Sequence, residues 1–145
     1  MEYLETDHRP LRIFHLDDHR LFLDGMRTAI LSRYPNATFD EFPSNDKALN
    51  RLKSLLVNNE RPDLIITDFN HLGGNGLEFA KDAKLLCEKH GVRIPILMVT
   101  MRQEVDTISD GLDGSPLDGF LGKNSDSDAI LDMIKTLISP IFSEN

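Results

Sequence analysis

The sequence predicts an α/β fold in which a parallel sheet carries helices on both faces, and three observations point to it. Short β-rich runs alternate with longer helical runs along the whole chain: LRIFHL, ATFDEF, DLIITD, IPILMVT and GFLG are the strand candidates. The spacing between them is that of βαβ units, which require parallel strands and crossover helices. Four of these strands also end in, or are followed by, a residue able to do chemistry: Asp17 and Asp18, Asp68, Thr100 and Lys123. Ligands of such sheets bind beyond the carboxyl ends of the strands, at a switch in strand order.

The helical runs follow in order. Leu21, Phe22, Met26, Ala29 and Ile30 recur at helical intervals, as do Leu49, Leu52, Leu55 and Leu56, and then Phe79, Ala83, Leu86 and Cys87. Each such stripe predicts a helix that covers one face of the sheet. His90 followed by Gly91 reads as the end of the third. Between Gln103 and Leu117 the chain holds Gly111, Gly114 and Pro116 with few apolar residues, which predicts a short, loosely held fourth helix. The last helix has a start signal in Ser125 followed by Asp128, an apolar face of Ile130, Leu131, Ile134, Leu137 and Ile138, and a stop at Pro140.

With 145 residues, no repeat and no long linker, the chain is expected to form one domain over residues 11–139. Residues 1–10 are expected to be disordered or extended, and residues 140–145 a tail or the start of a linker. Asp+Glu 24 against Lys+Arg 16 gives a formal charge of −8, a field that opposes nonspecific contact with nucleic acid or anionic lipid. The single cysteine, Cys87, excludes an internal disulfide framework and reads as a core or boundary residue of a protein in a reduced, cytoplasmic setting. Neither a secretion signal nor a membrane span is evident.

The strand-end residues carry the functional argument. Asp17 and Asp18 are adjacent like charges, which a cation between them and Asp68 would compensate. Three carboxylates suit a hard divalent ion such as Mg²⁺, which is held by few protein oxygens and keeps several waters. A lysine and a hydroxyl nearby suit a phosphoryl group, and an aspartate can accept one when its charge is compensated. Singly, each residue also fits a helix cap or a solvated surface position. The combination is what points to a phosphoryl site. The run GGNG at 73–76 lacks the partners of a phosphate-binding glycine loop and reads as a turn. His15 and His19 are four apart but do not share a helix, so they do not read as a zinc pair.

From about Leu11 to Ile138 the sequence resembles the response-regulator receiver domains of two-component signalling, on the acidic pair after the first strand, Asp68 after the third, Thr100 after the fourth and Lys123 after the fifth. The loop DFNHLGGNGLE is similar to the family's Asp-x-x-Met-Pro-x-x-Asp-Gly-x-Glu pattern, with Gly76 and Glu78 in the Gly and Glu positions. The runs DDHRLFLDGMR and LDGFLGKN resemble the LuxR/NarL subfamily of transcription regulators. The resemblance implies a flavodoxin-like (βα)5 doubly wound sheet with strand order 2-1-3-4-5. It implies that Asp68 accepts a phosphoryl group from a histidine kinase, a phosphotransfer protein or a small acyl phosphate. Asp18, Asp68 and the backbone carbonyl of Asn70 would hold Mg²⁺, with Asp17 acting through water, and Lys123 would meet the phosphoryl group. Thr100 and Phe120 would be the switch pair. A homodimer through the fourth helix, fifth strand and fifth helix, or through the first and fifth helices, is also implied, with DNA contacted only by a downstream domain.

The chain departs from the pattern at His71 and Leu72, which replace Met-Pro, and at Met101, where a small residue is usual. A bulky thioether beside the acceptor predicts slow phosphorylation and a long-lived phosphorylated state. Two rivals follow. A degenerate receiver would bind partners without phosphorylation, and a phosphatase of the haloacid-dehalogenase type would use Asp, Mg²⁺, Thr and Lys, although its nucleophile follows the first strand in an Asp-x-Asp pattern that DDH does not match.

Overall fold

The computed structural model describes residues 10–71, 74–101 and 116–142. Five parallel strands form one sheet: β1 (Arg12–Leu16), β2 (Thr38–Phe42), β3 (Leu64–Thr67), β6 (Ile96–Thr100) and β7 (Gly119–Gly122), in the order β2-β1-β3-β6-β7. Counting these five along the chain gives the expected order 2-1-3-4-5. The short strands β4 (Asn70–His71) and β5 (Gly74–Asn75) pair antiparallel in a hairpin between β3 and the next helix. The helices are α1 (Arg20–Arg33), α2 (Asn45–Val57), α3 (Gly76–His90) and, by its rank among the described helices, α4 (Ser127–Phe142). The segment expected to form a short helix between Gln103 and Leu117 lies almost entirely outside the described residues.

Burial explains which strands are central. Every residue of β3 and β6 and the last four of β1 are buried, as both-face coverage by helices demands, while the edge strands β2 and β7 are at most half-buried. Alternation along the strands divides the core in two. Phe14, Leu16, Ile65 and Ile96 pack with Leu52, Leu56, Phe79 and Ala83 of α2 and α3, whereas Ile13, Leu64, Ile66, Leu97 and Val99 pack with Met26, Ile30, Ile134 and Ile138 of α1 and α4. Each fully buried Leu or Ile contributes roughly 2 kcal/mol of burial free energy. Cys87 is in the first of these clusters, and burial pushes its thiol pKa up.

The helix ends follow local chemistry, with three corrections to the sequence reading. Ser44 caps α2 by accepting from Lys47 N (3.2 Å), and Gly91 ends α3 in the left-handed region at φ 69°. The cap of α4 is Asp126 rather than Ser125, since Asp126 Oδ1 accepts from Ala129 N at 2.9 Å. An ionised carboxylate at a helix start has both the acceptor and the favourable charge that a serine hydroxyl only half supplies. Helix α4 runs past Pro140 to Phe142 instead of stopping there. A proline so near the end removes one ladder bond but leaves the following N–H groups able to continue the turn. Leu21, expected on the apolar face of α1, is 88% exposed. Its place is taken by Leu23, which is buried with Met26 and Ile30, because those three share the stripe that meets the sheet.

Candidate functional site

Backbone registry places the site. β1 and β3 are neighbours with Leu16 opposite Thr67, so the residues that follow them, Asp17 and Asp68, emerge side by side, and Asp68 N donates to Leu16 O at 3.0 Å. Both carboxylates are buried. One strand further, Thr100 ends β6 fully buried and opposite Gly122 of β7, and Lys123 N donates to Thr100 O at 2.6 Å. The turn after β7 thus starts with Lys123 anchored beside β6, and its long side chain reaches back over the strand ends.

The reach ends on both acids. Lys123 Nζ lies 3.0 Å from Asp17 Oδ2 and 3.2 Å from Asp68 Oδ2, with its side chain only 9% exposed. Asp17 Oδ1 accepts from His19 N at 3.0 Å and Asp68 Oδ1 from Phe69 N at 2.8 Å. Among the described residues Asp17 Oδ2 has the ionic contact with Lys123 but no hydrogen bond of good geometry. Burial raises the Asp17 pKa, the His19 N–H and Lys123 oppose the rise, and the charge of Asp68 adds to it. Two carboxylates therefore depend on one ammonium in a place with little water.

The loop after Asp68 is held close by a glycine. Gly76 N donates to Phe69 O at 2.7 Å, and a Cβ at this position would stand 2.0 Å from the carbonyl oxygen of Asp68. Asn75 Oδ1 then caps α3 by accepting from Leu77 N and Glu78 N, and Asn45 of α2 donates to Asn75 O. Gly74 and Asn75 thus belong to a hairpin strand and Gly76 to a helix start, while Gly73 lies outside the described residues. Asn70 is two residues past Asp68, paired with Asn75 through the β4–β5 hairpin. Phe120 is half-buried in β7 opposite Met98, and Met101 follows Thr100 at 40% exposure. Leu72 lies outside the described residues.

Three residues join the pocket that the sequence reading left out of it. His19, directly after the acidic pair, puts Nδ1 at 2.7 Å from Lys123 Nζ. Phe22, one turn into α1, lies with its ring centroid 4.7 Å from the same ammonium. Beneath them His15, almost fully buried and edge-on to Phe22, has its pKa pushed down to about 3, first by burial and then by the charges of Lys123 and Arg27. The only local signal for His19 was its adjacency to DD; the lysine contact spans 104 positions and leaves no trace in sequence spacing.

The residues fit a divalent cation. Asp17, Asp18 and His19 each bring a ligand atom to within 4.8 Å of one another, and Asp68 is tied to Asp17 through Lys123, so two buried carboxylates share one positive charge.

A five-stranded parallel sheet of this order with helices on both faces is a flavodoxin-like fold. The chain belongs to the response regulator receiver domain family, whose model matches residues 13–135. It is 25% identical over 133 residues to the transcriptional regulatory protein DegU of Brevibacillus brevis, a match covering 92% of this chain and 52% of that protein. The chain thus spans about half the length of this curated relative. Among solved structures it is similar in fold to a CheY-like response regulator receiver domain protein from Methanospirillum hungatei, with TM-score 0.71, 18% identity and coverage of 91% of this chain and 96% of that one. It is similar in fold also to a structure described as adenylate cyclase from Rhodopirellula baltica, with TM-score 0.73, 22% identity and coverage of 93% and 94%. No described helix is long and apolar enough to cross a membrane.

Proposed function

We propose that the chain is a phosphorylation-controlled switch in which Asp68 accepts a phosphoryl group from a histidine kinase or phosphotransfer protein. The observation that carries this is the Lys123 ammonium between two buried carboxylates, 3.0 Å from Asp17 and 3.2 Å from Asp68. An Asp68 oxygen would bond to phosphorus as the phosphorus–nitrogen bond of the phosphohistidine breaks, leaving the nitrogen with the electron pair. Lys123, already at Asp68, compensates the incoming oxygens, and the Thr100 hydroxyl one strand away is the next donor. Asp18, Asp68 and the Asn70 carbonyl would hold a Mg²⁺ ion, with Asp17 acting through water, and the ion would supply Lewis-acid charge compensation during the transfer.

Phosphorylation transfers Lys123 from a carboxylate pair to a phosphoryl group, and the switch residues Thr100 and Phe120 sit on the two strands next to that change. The relation to DegU, named a transcriptional regulatory protein, together with the LuxR/NarL-like runs, supports regulation of transcription through a DNA-binding domain outside this chain. A homodimer across the α1 and α4 faces or the β7 and α4 faces would carry the signal. The test is incubation with acetyl phosphate and Mg²⁺ followed by intact mass. One phosphoryl adduct that disappears in Asp68→Asn is the expected result. Metal binding without an adduct would transfer the case to a phosphorylation-independent interaction module. Met101→Ala should accelerate both formation and loss of the adduct, and unchanged rates would remove Met101 from the access route.

A further inference from the structure

The Lys123 ammonium has neighbours of two kinds. Two carboxylate oxygens and an imidazole nitrogen surround it, Asp17 Oδ2 at 3.0 Å, Asp68 Oδ2 at 3.2 Å and His19 Nδ1 at 2.7 Å. The remaining neighbour is a ring face, that of Phe22, with its centroid 4.7 Å away. An ammonium has only three N–H groups to give. A ring attracts the charge through its quadrupole and needs no lone pair to do so, which leaves those N–H groups to the oxygens. The Lys123 side chain is only 9% exposed, and such attraction is strongest where water is excluded.

The ring is itself fixed in place. Asp17, Asp18 and His19 lead directly from β1 into α1, and Leu23 N donates to His19 O at 3.0 Å, which sets the first helical turn and brings Phe22 to the strand ends. Phe22 packs against the core layer that holds Ile13, Met26 and Val99. From β1, His15 meets it edge-on, with ring centroids 6.1 Å apart and planes at 73°. His15 is 1% exposed and has no room to turn aside, so an edge-to-face pair locks the orientation of the Phe22 ring.

We infer that Phe22 is a positioning residue for phosphoryl transfer, its ring holding the Lys123 ammonium over Asp68 while the ammonium shifts from Asp17 towards the incoming phosphoryl oxygens. This rests on the phosphoacceptor reading above and adds to it a residue of α1 that acts through Lys123. A hydrogen bond weakens steeply with displacement and misalignment, whereas the attraction of a ring for a cation acts out to about 6 Å from the centroid. The ring contact therefore persists through a shift that breaks the contact with Asp17. Lysine has a flexible four-carbon stem, and without the ring its ammonium would spread over more rotamers and be in place less often when the donor arrives.

The test uses the full chain with acetyl phosphate and Mg²⁺, following adduct formation by intact mass across donor concentrations in the parent, Phe22→Leu and Phe22→Tyr. Leucine keeps apolar bulk against the core and lacks the ring face; tyrosine keeps both. The limiting rate should fall roughly tenfold in Phe22→Leu with the half-saturating donor concentration little changed, and should stay within about twofold of the parent in Phe22→Tyr. Proton NMR without metal or donor should show the Lys123 ε-methylene resonances moved upfield by the ring in the parent and Phe22→Tyr, and not in Phe22→Leu. Circular dichroism and urea unfolding check that all three chains fold. A parent rate retained in Phe22→Leu, or an equal loss in both variants, would overturn the inference and leave the phosphoacceptor reading standing. No adduct on the parent chain would overturn both.

Discussion

The two ends of the sheet use buried and half-buried aspartates in opposite ways. At the amino-terminal end, Asp118 accepts from Lys84 Nζ (2.8 Å), Arg93 (3.2 Å) and Ile96 N (2.9 Å), pinning α3 and the starts of β6 and β7 together. Asp63 accepts from Arg12 N at 2.9 Å and its own N–H donates to Arg12 O at 2.7 Å, so β1 and β3 begin in register. Arg12 reaches on to Asp40 at 3.1 Å and Glu60 at 3.6 Å. At the carboxyl end, Asp17 and Asp68 share one ammonium, and among the described residues Asp17 Oδ2 has only that ionic contact. An acid with several donors of its own stabilises a fold, while two acids that share one cation are held in readiness for a ligand.

The largest test of that contrast removes the cation at each end. Lys123→Met strands two buried carboxylates and should cost about 3–5 kcal/mol at neutral pH, read from urea unfolding, with part of the loss recovered by added divalent cation. Lys84→Met should cost about 1–2 kcal/mol, because Asp118 keeps Arg93 and the Ile96 N–H. Equal losses would erase the distinction. Next in size is Asp118→Ala, expected to destabilise by about 2 kcal/mol through the lost ion pair and an Ile96 N–H left without its acceptor.

The carboxyl-end pocket was legible where a chemical residue directly follows an apolar run. LIIT before Asp68 and RIFHL before Asp17 mark buried strands, and parallel topology forces the residues after them to one edge. The strand order and the two core layers follow from the same alternation. What escaped was set by contacts without a local pattern. Lys123 meets His19 and Phe22 only because β7 lies two strands from β3 and a lysine arm is long enough to cross. The Asp126 cap and the exposure of Leu21 turned on which of two nearby residues meets the helix end or the sheet, a difference of one or two positions that periodicity does not resolve.

A further effect depends on pH and involves His15 and Asp17. Unfolded, His15 titrates near 6.5; folded, it resists protonation down to about 3. Between those values the unfolded chain binds more protons, so stability falls as pH drops from about 6.5 towards 3, by on the order of 1 kcal/mol per pH unit. Asp17 acts with the opposite sign. Its folded pKa is raised above 3.8, so its contribution is full below that value and is lost as pH rises through the folded pKa. Urea unfolding at steps from pH 7 to pH 4 should show a flatter dependence in His15→Leu than in the parent chain, and parallel slopes would mean that His15 is not the acid-sensitive group.

The smallest change is the most discriminating. Asp17→Asn leaves one carboxylate, Asp68, for the Lys123 ammonium and removes a buried charge whose Oδ2 had no hydrogen bond. Replacing an under-compensated buried charge by a neutral isostere is often neutral or favourable, so stability at neutral pH should rise by up to about 1 kcal/mol. Calorimetric titration of the same variant should show weakened divalent-cation binding, since a neutral amide is a poorer ligand than a carboxylate. Stability gained together with affinity lost is the signature of an acid placed for a ligand. A loss of about 2 kcal/mol instead would put Asp17 in the same class as Asp118, a structural staple, and the contrast between the two ends of the sheet would no longer hold.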